Sequence, residues 1–328
     1  MVAMAAAAET VEAATVEAAA AEAEAAGAAG SPEDPSQLAT LAPRSCGAQS
    51  SRAHCAYEPA KRGRAMIRAV VSGSGNMGAQ VLATLEAAED IEPVGVIEPL
   101  ADGAGEIEAA SGATYPLAAD PDALLGELTP DVVVDFTNAA FTPTLAEACL
   151  AHGVRPVIGT SGQPDDFVAT LRERLAEHGL GGVVAPNFAL GAVVLMHLAT
   201  LAAPHFDAVE VIELHHDGKV DSPSGTAVAT AQLMREARGS DFTHRSSDLE
   251  AVEGARGAEL GGVALHSVRL PGLVAHQEVI FGGTGQTLML RHDSTGRDSF
   301  MPGVLLAVRE VMQRESLVYG LDALIGLA

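Results

Sequence analysis

The sequence predicts an α/β protein in two parts, a domain on a parallel sheet and a second, α+β domain with a mixed sheet. Three observations support this. A short apolar strand at 69–72 runs into a glycine-rich turn and a helical pattern; further short apolar strands, separated by helical segments, follow up to residue 187; and beyond residue 207 the strands lengthen and include a hairpin signal. With 328 residues, 48% of them hydrophobic, the chain has enough apolar surface for two cores.

Residues 1–65 differ in kind from the rest. The first thirty are almost only Ala and Glu with Thr and Val; Ser31-Pro32-Glu33-Asp34-Pro35-Ser36 and a Gly/Ser/Arg-containing stretch follow. Such a segment has too little large apolar surface to build a core. Glu9, Glu12, Glu17, Glu22 and Glu24 argue against a signal or transit peptide. It is expected to be a disordered or loosely helical extension, or even to precede the natural start, because Met66-Ile67-Arg68 opens a strand directly.

The strand at 69–72 leads into Gly73-Ser74-Gly75-Asn76-Met77-Gly78 and a helix at 79–85. Glycines at this spacing allow a tight turn, close approach of backbone N–H groups to a pyrophosphate, and close helix–strand packing, while the helix N-terminus favours negative charge. A second strand, 93–97, ends in Glu98, an acid placed to accept hydrogen bonds from adenosine ribose hydroxyls. Strands at 131–137, 156–160 and 183–187 continue the rhythm, with helical patterns at 145–152 and 165–178 between them. The alternation predicts a Rossmann-type parallel sheet covered on both faces, with ligands beyond the carboxyl ends of its strands. Phe136-Thr137, Gly159-Thr160-Ser161-Gly162 and Asn187-Phe188 are therefore placed to line the nicotinamide end of a dinucleotide.

A helix at 190–203 precedes strands at 208–215, 263–270, 274–281 and 287–292, the last two joined by Gly282-Gly283-Thr284-Gly285. A final helix, 302–314, is long and apolar enough to return and cover the first domain. The expected organisation is an N-terminal extension, 1–65; a dinucleotide-binding domain, 66–187 plus 297–328; and a second domain, 188–296, to which the family resemblance given below assigns substrate binding and oligomerisation.

The formal charge of −24 disfavours binding to nucleic acid or an anionic membrane, so an anionic ligand needs a local positive site. Cys46, Cys55 and Cys149 are few, odd in number and widely spaced, which implies neither a disulfide framework nor a zinc site and fits a reducing cytoplasm. The apolar stretch 188–206 contains His197, His205 and small residues, and reads as a buried helix rather than a membrane span. Between Arg68 and Arg155 there is no Lys or Arg, and Glu98 itself would repel a 2′-phosphate, so NADH is expected to be preferred over NADPH.

Lysine occurs only twice, at Lys61 and Lys219, and the second lies in His215-His216-Asp217-Gly218-Lys219-Val220-Asp221-Ser222-Pro223-Ser224-Gly225-Thr226. Arginine cannot readily donate a proton near neutrality, whereas a lysine is a point charge that can. The strand at 208–215 delivers both histidines to a turn, and Ser224, Gly225 and Thr226 start a helix whose N–H groups suit an anion. A solvated lysine and ordinary helix capping account for each feature singly. Together, downstream of a dinucleotide motif, they form a site for a small carboxylate in which Lys219 or His215 supplies a proton. No third ligand with useful spacing joins the histidines, so no metal is expected.

Glu213-Leu214-His215-His216-Asp217-Gly218-Lys219, continuing through Val220-Asp221-Ser222-Pro223-Ser224-Gly225-Thr226-Ala227, closely resembles the signature of dihydrodipicolinate (4-hydroxy-tetrahydrodipicolinate) reductases. The resemblance runs from Met66 nearly to the C-terminus, through Asp135-Phe136-Thr137, Gly159-Thr160-Ser161-Gly162, Ala185-Pro186-Asn187-Phe188 and residues 269–281, and does not cover 1–65. It implies NAD(P)H-dependent reduction of a cyclic imine-type dicarboxylate to tetrahydrodipicolinate in lysine and diaminopimelate biosynthesis, by a homotetramer joined through the second domain. It further implies His215 as a proton donor or acceptor, Lys219 as the proton donor, His216 as a substrate contact, and Ser224, Gly225 and Thr226 as the carboxylate holders. Gly73, Ser74, Gly75, Asn76, Met77, Gly78, Glu98, Gly159, Thr160, Ser161, Ala185, Pro186, Asn187 and Phe188 would contact the cofactor. Two departures from the family's usual pattern stand out. The glycine loop is one residue shorter than G-x-x-G-x-x-G, with Asn76 where a basic residue is usual, and Ser161 stands where threonine is frequent. A different NAD(P)-dependent dehydrogenase would share the fold without this signature, and a non-enzymatic NAD-binding regulator would need no proton donor.

Overall fold

Three valine-rich strands that are neighbours in one sheet organise the first half of the molecule: β1 (Ile67–Ser72), β2 (Ile91–Ile97) and, after the β3–β4 hairpin (Gly105–Glu108 and Thr114–Ala118), β5 (Val132–Asp135). Their side chains are buried on both faces, as expected of parallel strands covered by helices. The computed structural model describes residues 66–245 and 247–327; the expectations for residues 1–65 lie outside them.

With β6 (Arg155–Ile158), β7 (Gly182–Val184) and, near the end of the chain, β13 (Leu317–Tyr319), these strands form an eight-stranded sheet in the order β13-β7-β6-β5-β1-β2-β4-β3. Every pairing is parallel except that of β3 with β4. Strand order reverses at β1, whose neighbours are β2 and β5, so a crevice opens beyond its carboxyl end. Helices α1 (Asn76–Glu86), α2 (Pro121–Leu128), α3 (Thr142–His152) and α4 (Asp165–Glu177) make the crossovers. Asp120 caps α2, accepting from the Asp122 N–H at 3.0 Å, and Gly153 ends α3 in a left-handed conformation at φ 68°.

Helix α5 (Leu190–Ala202) leads to the second, five-stranded sheet. Its strands are β8 (Ala208–His215), β9 (Ala258–Leu260), β10 (Val263–Arg269), β11 (Ala275–Gly283) and β12 (Gln286–Ser294), in the order β12-β11-β8-β10-β9. β8 and β10 pair in parallel and the rest antiparallel, so the sheet is mixed. One face packs on α5 and on α6 (Gly225–Arg238) through Leu195, Ala199, Val211, Ala231, Met234 and Phe281. The expected hairpin is present, with Gly283 opposite Gln286 across Thr284-Gly285.

The last helix, α7 (Met301–Val311), does return to the first sheet. Val304, Ala307, Val308 and Val311 share a core with Val71, Val81 and Leu85, and Arg309 forms two 2.8 Å hydrogen bonds with Asp90. Residues 302–314 are predicted as helix, and the helix observed is Met301–Val311. A short helix, α8 (Leu321–Leu324), follows β13. No helix among the described residues is long and apolar enough to cross a membrane.

Candidate active site

The turn after β1 shows why each glycine is needed. Gly73 takes φ 101°, and a Cβ there would lie 2.9 Å from the Phe136 carbonyl oxygen. At Gly78 a Cβ would be 1.7 Å from the Gly73 oxygen, so this glycine lets α1 pack onto its own turn. Gly75 is different: nothing lies within 4 Å of the Cβ position, and as the N-cap of α1 it offers no side chain to the first N–H groups. The space and the uncapped donors fit an incoming pyrophosphate. Ser74, Asn76 and Met77 complete the turn, with Asn76 exposed at the first position of the helix.

Glu98, just past β2, reaches back to this turn. Its carboxylate accepts the Ser74 N–H at 2.9 Å and the Ser74 hydroxyl at 2.7 Å, and the Leu100 N–H at 3.1 Å. Burial opposes its ionisation, but these hydrogen bonds outweigh it and hold the group below the usual carboxylate range. The β3–β4 hairpin adds a wall that the sequence did not reveal. Ile107, Glu108, Ala109 and Ala110 face Gly73, Ser74 and Gly78 across a cavity of about 80 Å³.

At the carboxyl ends of β5, β6 and β7 the remaining cofactor candidates converge. Gly159 is required by Phe136, whose ring would lie 2.2 Å from a Cβ there; Phe136 in turn meets Phe188 edge-on at a centroid distance of 5.6 Å. Asn187 accepts the Ala189 N–H at 2.8 Å, setting the turn that buries Phe188 and starts α5. Asp135, fully buried, ties these ends together. Its carboxylate accepts the hydroxyls of Thr137, Thr142 and Thr160 at 2.6, 2.7 and 2.8 Å, and the Thr160 oxygen accepts the Thr137 N–H at 2.9 Å. Burial, reinforced by the Asp135 charge, raises the pKa of the Cys149 thiol, so this cysteine stays protonated in the core. Thr160, Ser161 and Pro186 line the edge of a cavity of about 440 Å³ that extends to Arg172 and Tyr319.

The second group of candidates sits on β8, α6 and the turn between them. Alternation along β8 buries Glu213, only 1% exposed, and leaves His215 at the strand end half-buried. Glu213 receives the Arg269 guanidinium in a two-pronged contact, both prongs at 2.7 Å; His215 Nδ1 lies 2.6 Å from one carboxylate oxygen and the Ser224 N–H 3.1 Å from the other. Arg269 also donates to the Asp221 carbonyl at 2.7 Å, bracing the turn. Burial works against the Glu213 charge, but Arg269, the Ser267 hydroxyl and His215 together bring its pKa down to about 2. Burial lowers the pKa of His215; the Glu213 charge opposes that effect, and Lys219 and Arg269 add to it.

Lys219 Nζ rests 2.7 Å from an Asp221 carboxylate oxygen, with 22% of the lysine side chain exposed. Ser224 caps α6 by accepting the Ala227 N–H at 3.2 Å, and a Cβ at Gly225 would meet nothing within 4 Å. Thr226 follows on the first turn, and His216 is exposed over Gly218. This is again an open helix start, here flanked by a lysine and two histidines. Gly73, Ser74 and Gly78 thus line one cavity and Thr160, Ser161 and Pro186 another, Ala185 and Phe188 are buried in the core, and the predicted substrate residues share one turn. No hydrogen bond or ion pair among the described residues joins the two groups.

The model of the N-terminal part of dihydrodipicolinate reductase matches residues 67–188, and that of its C-terminal part residues 191–325. The chain belongs to the dihydrodipicolinate reductase family. The 4-hydroxy-tetrahydrodipicolinate reductase of Halalkalibacterium halodurans is 45% identical over 263 residues, covering 79% of this chain and all of that protein. That of Geobacillus kaustophilus is 47% identical over 259 residues, covering 78% and 98%. A dipicolinate-bound dihydrodipicolinate reductase from Paenisporosarcina superposes with a TM-score of 0.71 at 43% identity, over 79% of this chain and 99% of the other. As a dihydrodipicolinate reductase the chain is an oxidoreductase that uses a nicotinamide cofactor.

Proposed function

We propose that the protein reduces 4-hydroxy-tetrahydrodipicolinate to tetrahydrodipicolinate in lysine and diaminopimelate biosynthesis, in the cytoplasm, with one hydride and one proton taken up and the 4-hydroxyl lost as water. The observation that carries this is the turn from His215 to Thr226, which sets a lysine, two histidines and an open helix start side by side. A small dicarboxylate matches this combination: one carboxylate takes the N–H groups beside Ser224, Gly225 and Thr226, while His216 and Lys219 meet the rest of the charge.

When bound, the reduced nicotinamide supplies a hydride. Gly73 to Gly78 would hold its pyrophosphate and Glu98 its ribose; Gly159, Thr160, Ser161 and the segment Ala185, Pro186, Asn187 and Phe188 would line its nicotinamide end. Asn76 adds no cation to this site. Lys219 offers N–H donors and no acceptor to the turn. His215, whose pKa is lowered by burial, is the complementary acceptor. Lys219 therefore delivers the proton and His215 accepts or relays one.

Oxidation of NADH, followed by absorbance with freshly generated dihydrodipicolinate, tests the reading. No substrate-dependent oxidation would refute it. The Glu98 charge at the turn, with no Lys or Arg from 69 to 154, disfavours a 2′-phosphate. We expect kcat/KM to be at least about tenfold higher with NADH than with NADPH, a difference of on the order of 1.4 kcal/mol. Equal or better turnover of NADPH would overturn that preference.

A homotetramer joined through residues 188–296 completes the proposal. Strand β12 is an edge with Met289 61% exposed, and Val194, Leu198 and Leu201 leave an apolar stripe uncovered on α5. Light scattering on the purified protein should give four times the chain mass. A monomer would refute the assembly.

A further inference from the structure

Glu213 has more polar neighbours than its burial alone would need. It is an acid with almost no contact with solvent, yet donors from three elements converge on it: the His215 ring from its own strand β8, the Arg269 guanidinium from β10, and the Ser224 N–H at the start of α6. An ionised carboxylate has no hydrogen to give. His215 Nδ1, 2.6 Å away, must therefore carry the proton of that hydrogen bond, which leaves Nε2 as the nitrogen able to exchange a proton with a bound molecule.

We propose that Glu213 is a positioning residue for the reduction, locking His215 in the Nδ1–H tautomer and tying it to the carboxylate-binding turn at Ser224. The catalytic part of this proposal rests on the proton-transfer reading of the His215 and Lys219 cluster. The contacts show how one side chain holds both the imidazole and the start of α6. One oxygen, Oε2, accepts from the histidine; the other, Oε1, accepts from the backbone where α6 begins; and Arg269 holds both oxygens while anchoring the intervening turn at the Asp221 carbonyl. The charged groups around the imidazole are Glu213 on β8, Arg269 on β10, and Lys219 in the turn, itself paired with Asp221. Only Glu213 among them accepts from the ring, so it alone selects the tautomer.

A glutamine at 213 would have nearly the same shape but would offer one oxygen and one NH₂ group to this ring of donors. At least one of them would then face another donor.

Nitrogen-15 NMR of the histidine side chains in the full-length enzyme tests the assignment directly. The wild-type spectrum should show His215 with a protonated Nδ1 and an unprotonated Nε2 once the ring is neutral. The opposite tautomer would overturn the proposal, and this measurement does not depend on any variant folding. In Glu213→Gln the Nδ1–H signature should be lost and kcat should fall by about 100-fold, within the range of a general acid–base contribution. KM for NADH should stay within about threefold, because the glycine turn lies elsewhere. In a His215→Gln background, Glu213→Gln should cost little more in kcat, since for proton transfer both changes remove one unit, and any further effect should fall on KM for the dicarboxylate through Ser224. Equal losses with and without His215 would mean that Glu213 only supports the fold, and would overturn the positioning role. A fully active His215→Gln enzyme with the predicted wild-type tautomer would instead refute proton transfer at His215, and with it the catalytic part of the proposal.

Discussion

Lys219→Ala is expected to lower kcat by about 10²–10⁴-fold, the range lost with a positioned proton donor, while NADH binding measured by fluorescence titration stays within about twofold. The separation follows from placement. Lys219 lies in the turn between β8 and α6, whereas the glycine turn and Glu98 sit at the carboxyl ends of β1 and β2. Lys219 has two possible contributions, charge and proton, and Lys219→Arg separates them. Arginine keeps the positive charge opposite Asp221 and a substrate carboxylate but is a very poor proton donor near neutrality. The arginine variant should therefore hold KM for the dicarboxylate within a few-fold and still lose about 10²-fold in kcat, whereas the alanine variant should suffer in both. Near wild-type turnover by Lys219→Ala would rule out this lysine as the donor. A restored kcat in Lys219→Arg would show that charge alone suffices.

The signals that could be read from the sequence were local. The glycine turn, the strand ends at Phe136, Gly159 and Asn187, and the run from His215 to Thr226 each carry their meaning within a few residues. What escaped depends on pairing across the chain. Arg269 reaches Glu213 only because β10 lies parallel to β8 in a register that sets Arg269 beside His215. Asp135 could be placed near the site, but its part in fixing Thr137 and Thr160 needed Thr142, at the start of α3, to satisfy the same carboxylate. The β3–β4 hairpin carries weak strand signals in a stretch rich in Gly and Ala, and β13 is three residues long, too short for periodicity to register. Lys219 stood out in composition, yet its Asp221 partner two positions away became visible only once the turn was folded.

Alanine at Gly75 and alanine at Gly78 should fail in opposite ways. The two positions are three residues apart in one motif. At Gly78 the added methyl would press to 1.7 Å from the Gly73 carbonyl oxygen and 2.7 Å from its carbon, both backbone atoms that no side-chain rotation can clear. The turn would have to open, displacing α1, with its Val81 and Leu85, from β1 and Val71 in the same core. Overpacking of this kind costs about 3 kcal/mol or more when the obstacle is rigid, so Gly78→Ala should unfold at markedly lower temperature with or without cofactor. At Gly75 the backbone is ordinary, φ −69°, and the space is empty, so the free protein should tolerate alanine or even gain about 0.4–1 kcal/mol from a stiffer unfolded chain. Its cost should appear only with ligand. The methyl occupies the approach to the uncapped N–H groups of α1, and NADH affinity should fall at least about tenfold. Thermal unfolding with and without NADH distinguishes the two: Gly78→Ala should shift the unliganded transition, Gly75→Ala only the increment that NADH adds. Undiminished NADH binding by Gly75→Ala would mean that the pyrophosphate does not approach the α1 N-terminus at this glycine.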